Sequence, residues 1–168
     1  MKMETKRIMC IDPASVSSGW AVAEQNGTLI ASGTILAPKG ASLPLRMWLI
    51  FSSTLEVVKK YNPKIVVIEQ MSKKTHHAVN MAIGVALAVC GKQNIYADAS
   101  LVPGQWKAHW GIKVPRGEKK TEYVRAAFAR NYPLLVGTTS SDDEVEAILM
   151  VGYLSHLINK RKDEYGVI

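Results

Sequence analysis

Four acidic residues stand where carboxylate chemistry can be assembled. Asp12 directly follows a short apolar run, and Glu69 directly follows the four β-branched residues 65–68. Asp143 and Glu146 lie three positions apart at the start of a helical pattern, so they project from one helical face. Ligands in open α/β sheets bind at the carboxyl ends of the strands. We therefore expect the four carboxylates to converge at one edge of a sheet.

Each acid taken alone also has a purely structural explanation. Asp12 could cap a turn, and Glu69 could be a solvated strand end. Asp142 or Asp143 would be a good N-cap for the last helix. We expect Asp142 to take that role, so that Asp143 faces the site and Glu144 points to solvent.

Converging carboxylates repel one another unless a hard divalent cation lies between them. A ligand set without His or Cys favours Mg²⁺, with Mn²⁺ as a substitute, over Zn²⁺. The chain has 21 Lys and Arg residues against 14 Asp and Glu residues, a net charge of +7. This pattern suits metal-assisted cleavage of a phosphodiester, because the basic surface binds the backbone and the acids bind the metal.

Composition indicates the class of protein. The chain has 168 residues, 48% of them apolar and 21% charged, which predicts one globular domain over residues 1–168. No apolar run reaches the roughly 18 residues of a membrane span. The charged start lacks the apolar stretch of a signal peptide, which favours the cytoplasm of a bacterial cell or its phage-infected equivalent. Cys10 and Cys90 lie in apolar surroundings and are expected to be buried free thiols.

The predicted elements follow the order β-β-β-α-β-α-β-α-α. Asn26-Gly27 between two apolar segments is a hairpin signal, so the chain opens with antiparallel strands. The apolar run 65–68 is typical of a central parallel strand. Helices are expected at 43–61, 75–90, 117–131 and 142–160, with a further short strand at 94–97. This order specifies a mixed α/β sheet with helices on its faces.

The predicted helix 75–90 is apolar nearly all round. Between Ala78 and Cys90 its only polar side chain is Asn80. A sheet face can cover one side of such a helix, so a second copy of the chain is expected to cover the other in a twofold dimer. Ala82 or Val85 would lie in that contact.

Three segments, in order, resemble the motifs of RuvC-type Holliday junction resolvases, which belong to the RNase H-like superfamily. Residues 11–20, Ile-Asp-Pro-Ala-Ser-Val-Ser-Ser-Gly-Trp, are similar to the family's opening hairpin. Residues 67–70, Val-Ile-Glu-Gln, are similar to its Ile-Glu-Gln strand end, and residues 143–147, Asp-Glu-Val-Glu-Ala, to its Asp-x-x-Asp-Ala helix start. The resemblance implies an RNase H-like α/β fold: a five-stranded mixed sheet, three antiparallel strands first and then parallel strands, with helices on both faces.

The same resemblance implies a homodimeric, Mg²⁺-dependent endonuclease that nicks two strands of a four-way DNA junction symmetrically. Hydrolysis of the phosphodiester would use two metals, held by the four acids named above. Two lysines, Lys107 and Lys119, would lie near the scissile phosphate, with Lys120 as an alternative to Lys119. Branched DNA would be the partner, with neither a membrane nor a small-molecule substrate.

Basic side chains would hold the DNA mainly by its phosphates, which positions a duplex without reading its sequence. Trp106 and Trp110 could stack on unpaired bases, although at least one of them is expected in the core. The candidate DNA contacts are Lys73, Lys74, His77, Lys113, Arg116, Lys119, Lys120 and Arg125.

Three features depart from the family pattern, one of which is that many residues around the motifs differ, as expected of a phage or otherwise divergent branch. Glu146 stands where the family has Asp, which lengthens the arm by about 1.5 Å. The segment 71–77 lacks the aromatic wedge with which the bacterial family opens the junction, so Met71 or the basic His and Lys side chains would replace it. Two alternatives therefore stay open: an RNase H-like nuclease for other branched DNA or RNA, and a junction-binding protein without cleavage. An actin-like phosphotransferase is disfavoured because 168 residues cannot hold two such domains.

Overall fold

The computed structural model describes residues 6–70 and 77–165. The strands are β1 (Arg7–Asp12), β2 (Ser17–Glu24), β3 (Leu29–Leu36), β4 (Ile65–Glu69) and β5 (Tyr96–Leu101). The helices are α1 (Leu43–Tyr61), α2 (His77–Lys92), α3 (Pro103–His109), α4 (Lys120–Asn131) and α5 (Asp142–Tyr165), with a 3-10 turn at Pro133–Leu135. Within those residues, no helix combines the length and apolarity that a bilayer crossing requires.

The five strands form one mixed sheet in the order β3-β2-β1-β4-β5. The pairs β1–β2 and β2–β3 are antiparallel, whereas β1–β4 and β4–β5 are parallel. The prediction of an RNase H-like five-stranded sheet, antiparallel first and then parallel, is confirmed. The long connections through α1 and α2 are what parallel pairing requires.

Successive side chains of β1 point to opposite faces of the sheet and belong to two hydrophobic cores. Ile8 and Cys10 face the layer that contains α3, α4 and α5, where they join Trp106, Ile148 and other buried residues. Met9 and Ile11 face the opposite layer, which α1 and α2 cover. The sheet is therefore buried on both faces, as a central parallel strand requires.

Several elements differ from the sequence prediction, and α2 and α5 extend to Lys92 and Tyr165, beyond their predicted ends at 90 and 160. The short helix α3 was not predicted, because seven residues give too little helical periodicity, although a proline at its first position suits a helix start. Strand β5 begins two residues later than 94, since Asn94 adopts a left-handed conformation (φ 53°) after α2. Helix α4 begins at Lys120, because Gly117 is held in a turn with φ 90°.

Candidate active site

Strand register brings the first two acids together. Ile11 of β1 pairs with Ile68 of the parallel strand β4, so Asp12 and Glu69 follow side by side at the carboxyl ends of these strands. Both carboxylates are buried, with 9% and 5% of their surface exposed. The sheet edge predicted from the sequence is therefore the place where these two acids lie.

A glycine lets the last helix approach that edge. Gly19 of β2 is the register partner of Asp12 in β1. A Cβ atom on Gly19 would collide with the backbone carbonyl of Asp143 at the start of α5. The Oγ of Ser17, also in β2, donates to Asp143 Oδ2 at 2.6 Å. Strand β2 thus holds the first turn of α5 against the acidic edge.

The other three acids lie close enough to Asp12 for their charges to act on its carboxyl. Burial raises the pKa of Asp12 well above its usual value, and the charges of Glu146, Glu69 and Asp143 raise it further. Burial likewise raises the pKa of Glu69, although a hydrogen bond from Trp106 opposes that shift. Three like charges around one buried carboxyl are unfavourable without a compensating cation.

Donors from the chain balance part of this charge. The indole N–H of Trp106 donates to Glu69 Oε1 at 2.7 Å, and Lys120 Nζ lies 2.5 Å from Glu146 Oε1. Glu146 Oε2 is buried and, within the described part of the chain, has no hydrogen-bond partner. Across residues 6–70 and 77–165, no three Asp, Glu, His or Cys side chains are arranged so that they could hold a metal ion as they stand. Glu69, Asp143 and Glu146 instead each contact a donor of the chain.

The orphaned Glu146 oxygen and the crowded charge on Asp12 nevertheless fit a divalent cation. Carboxylate oxygens are the ligands that hard cations select. The four acids offer carboxylate oxygens alone, so this donor set suits Mg²⁺ or Mn²⁺ rather than Zn²⁺.

Among the lysines, the structure places Lys120 rather than Lys119 against the acids. Burial alone would lower the pKa of Lys120, but its hydrogen bond with Glu146 and the charges of Glu146, Asp12 and Glu69 raise that pKa overall. Lys119 precedes the helix and is exposed. Of the two lysines that the sequence left open, Lys120 is therefore the one that contacts an acid of the cluster, because the turn at Gly117 delays the start of α4 to residue 120.

Lys107 lies close to Glu69, and its charge lowers the pKa of that carboxyl. Its Nζ also lies 4.9 Å from the ring centroid of Trp106. Helix α3 therefore brings both a cation and a buried donor to one acid.

The first turn of α5 differs from prediction at two residues. Ser141, not Asp142, caps the helix, since its Oγ accepts from the amide of Glu144 at 3.1 Å. Asp142 instead forms an ion pair with Arg125 at 2.5 Å. Glu144 is buried rather than solvated: it accepts from Ser32 Oγ and from the amide and hydroxyl of Ser140, at 2.6–2.7 Å. These contacts lower the pKa of Glu144 even though burial opposes the shift.

Trp106 and Trp110, the two tryptophans considered for base stacking, both make contacts within the protein, so base stacking by either one is not supported. Trp106 is fully buried, and Trp110 donates its indole N–H to the carbonyl of Leu149 at 2.8 Å. Because α3 has only seven residues, its sequence shows no helical periodicity of apolar residues from which its buried face could be predicted.

The candidate DNA contacts lie mainly around the start of α4. His77 is exposed at the first residue of α2. Lys73, Lys74 and Met71 lie outside the described residues. The other candidates are all exposed: Lys113, Arg116, Lys119, Lys120 and Arg125.

Comparison with known proteins gives a consistent result. The family described as crossover junction endodeoxyribonuclease RuvC matches residues 8–98. A RuvC of that name from Bordetella parapertussis is 31% identical over 167 residues, which is 95% of this chain and 90% of that protein. The relative from Rubrobacter xylanophilus is 29% identical over 90 residues, which cover 51% of this chain and 50% of that protein. For the Janthinobacterium relative, 37% identity extends over 55% of this chain and 52% of that protein.

Solved structures share the fold. The Thermus thermophilus RuvC structure has a TM-score of 0.69 and 18% identity, covering 94% of this chain and 96% of that one. T. thermophilus RuvC in complex with Holliday junction substrate has a TM-score of 0.67 and 17% identity, over 93% and 95% of the two chains. The yeast mitochondrial Holliday junction resolvase Ydc2 has a TM-score of 0.63 and 14% identity, over 95% and 83%.

Proposed function

The chain belongs to the crossover junction endodeoxyribonuclease RuvC family, and we propose that it resolves four-way DNA junctions by paired, symmetric nicks at its carboxylate cluster. One observation carries this proposal: Asp12 is buried, and burial together with the charges of three neighbouring carboxylates raises its pKa, in a protein of net charge +7. An acidic pocket in a basic protein suits a polyanion whose reacting phosphate needs a metal.

We propose Asp12, Glu69, Asp143 and Glu146 as the ligands of a divalent cation, Mg²⁺ in the cell and Mn²⁺ as a substitute. Bound there, the cation would supply an activated water and neutralise charge on the phosphate. The buried Glu146 Oε2, which lacks a hydrogen-bond partner in the described part of the chain, supports this assignment. The longer Glu146 side chain reaches Lys120 as well as the cluster.

Lysines of the chain then hold and balance the scissile phosphate. Lys120 is half-exposed, with 49% of its side chain accessible, so its ammonium group can turn from Glu146 toward a phosphate. Lys107 offsets charge on the Glu69 side of the cluster. Positive charge held in place before the reaction stabilises the charge that develops on the phosphoryl oxygens.

The exposed basic residues before and within α4 form the proposed DNA surface. Lys113, Arg116 and Lys119 are exposed. Arg125 is also exposed and forms an ion pair with Asp142 at the protein surface. Contacts of this kind fix the position of a duplex and weaken as salt is added. His77, exposed at the first residue of α2, is a further proposed contact. Lys73 and Lys74 lie outside the described residues and are proposed as contacts from the sequence alone. A protein that cuts junctions works where the DNA lies, in the bacterial or phage-infected cytoplasm.

Two nicks related by symmetry need two copies of the site, so we propose a twofold homodimer. Helix α2 buries Ala82 within its own chain, which removes that residue from the contact. Its outward stripe consists of Asn80, Gly84, Ala88 and Gly91, which are exposed. Small side chains let two helices approach closely, and Trp48, 61% exposed on α1, adds apolar surface on the same side of the sheet.

A panel of end-labelled substrates tests the activity. The chain is expected to cut a four-way junction in Mg²⁺ and to bind it without cutting in EDTA. Faster cutting of flaps or RNA duplexes than of junctions would favour a nuclease for other branched substrates. Binding without cutting in both Mg²⁺ and Mn²⁺ would favour a junction-binding protein, and either result would overturn the proposal.

A further inference from the structure

Trp106 is the largest fully buried side chain, and its one polar atom is directed at an acid of the cluster. The indole Nε1–H donates to Glu69 Oε1 at 2.7 Å. A buried tryptophan normally needs a partner for this N–H group. Here the partner is a carboxylate that is itself 95% buried, so neither group can turn to water instead.

The backbone around Trp106 leaves it little freedom. Glu69 of β4 pairs in register with Leu101, the last residue of β5, and α3 begins two residues later. Gln105 Oε1 accepts from the amide of Val102 at 3.1 Å, which fixes the start of that helix. The indole ring then packs in the core that α5 shares with the sheet. The N–H group is thus a fixed donor behind Glu69.

We propose that Trp106 is a positioning residue that restricts Glu69 to one-oxygen ligation and thereby favours Mg²⁺ over larger cations. This inference rests on the proposed role of Glu69 as a metal ligand. The N–H group takes one acceptor site of Oε1 and holds the carboxylate in one orientation, so the other oxygen is the one more freely offered to a cation. Ca²⁺ readily takes both oxygens of a carboxylate, whereas Mg²⁺ demands a compact octahedral set and takes single oxygens.

Removal of the donor separates the two cations. Trp106→Phe keeps an aromatic ring in the core and removes the N–H group, which frees Glu69 to rotate and to offer both oxygens. We expect affinity for Mg²⁺ to fall by about tenfold, the usual effect of losing a group that orients a ligand. Affinity for Ca²⁺ should stay within about twofold or rise.

Trp110→Phe is a matched control. It removes one indole N–H from a bond to the carbonyl of Leu149, which is not a carboxylate of the cluster. This variant should bind both cations as the wild type does, although it loses the same kind of hydrogen bond.

The measurement is Mn²⁺ binding to the full chain without DNA. Electron paramagnetic resonance detects the bound Mn²⁺, and Mg²⁺ and Ca²⁺ are added as competitors. The ratio of the two competition constants should shift toward Ca²⁺ by about tenfold in Trp106→Phe. An unchanged ratio in a folded variant overturns the inference, and so does an equal loss for both cations. If Trp106→Phe does not fold, benzothienylalanine at 106 replaces the N–H group by sulfur in the same shape, and the same ratio decides.

Glu69→Gln tells this inference apart from the proposed function. If Glu69→Gln binds Mn²⁺ as the wild type does, Glu69 is not a ligand and the site assignment itself fails. If Glu69→Gln loses Mn²⁺ while Trp106→Phe keeps the wild-type ratio, the site stands and only the role of Trp106 is refuted.

Discussion

Lys120 Nζ and Glu146 Oε1 form an ion pair at 2.5 Å inside the acidic cluster. The pair joins the first residue of α4 to the fifth residue of α5. Glu146 is 5% exposed, so the lysine supplies a positive charge where a cation would otherwise be needed. Any metal that uses Glu146 must share that residue with Lys120 or displace it.

Lys120→Met should therefore reduce cleavage strongly, by a factor on the order of 10² or more, because a charge beside the phosphate is lost. Lys119→Met is the matched control. Lys119 is exposed and precedes the helix, so its loss should weaken DNA binding and reduce the salt dependence slightly. Rates measured with saturating enzyme separate the two effects. Equal losses in both variants at saturation would contradict the assignment of Lys120.

Gly19→Ala should break the contact between β2 and the start of α5. The added Cβ meets the backbone carbonyl of Asp143, which cannot move without shifting the helix. We expect a loss of about 1–3 kcal/mol in the free energy of unfolding, together with loss of cleavage. Gly40→Ala is the control, since a Cβ there meets nothing within 4 Å. Urea unfolding measures both, and a Gly19→Ala variant as stable and active as Gly40→Ala would refute the close approach.

Glu144→Gln should weaken the protein in a pH-dependent way. Its hydrogen bonds from Ser32 and Ser140 hold the pKa of Glu144 below its usual value. A depressed carboxyl pKa in the folded state contributes stability that is present at neutral pH and is lost as the pH falls through that pKa. The variant should lose about 1–2 kcal/mol at pH 7, with a smaller difference from wild type near pH 4.

Urea unfolding at several pH values checks this expectation, with Glu56→Gln on the exposed side of α1 as a control. A difference from wild type that grows toward acid pH would contradict it.

Ala88→Arg should convert a dimer into monomers, because a long charged side chain cannot enter a close contact between two α2 helices. Ala129→Arg, on the exposed face of α4, introduces the same charge elsewhere. Sedimentation velocity at micromolar concentration distinguishes them. A wild-type monomer, or a dimer that survives Ala88→Arg, would count against this interface.

The sequence predicts the site best where strand order decides the geometry. Asp12 and Glu69 end neighbouring parallel strands, and their register follows from the apolar runs before them. The sequence predicts less where segments far apart in the chain meet, because local patterns do not show which distant residues come into contact. The contact of Trp106 with Glu69 spans 37 residues, and that of Ser17 with Asp143 spans 126.

A one-residue shift separates Lys119 from Lys120 for a related reason. Both follow Gly117, and the left-handed conformation of that glycine fixes where α4 begins. The buried Glu144 was likewise not predictable, since Ser32 and Ser140 reach it from β3 and from the loop before α5.

The most direct measurement is cleavage of a four-way junction by wild type and Asp12→Asn, mapped at nucleotide resolution. Asp12→Asn removes a proposed metal ligand and a negative charge beside the phosphate, so it should abolish both nicks while junction binding stays equal or tightens. The wild type should give two nicks placed symmetrically across the junction. Near-normal cutting by Asp12→Asn would contradict the account.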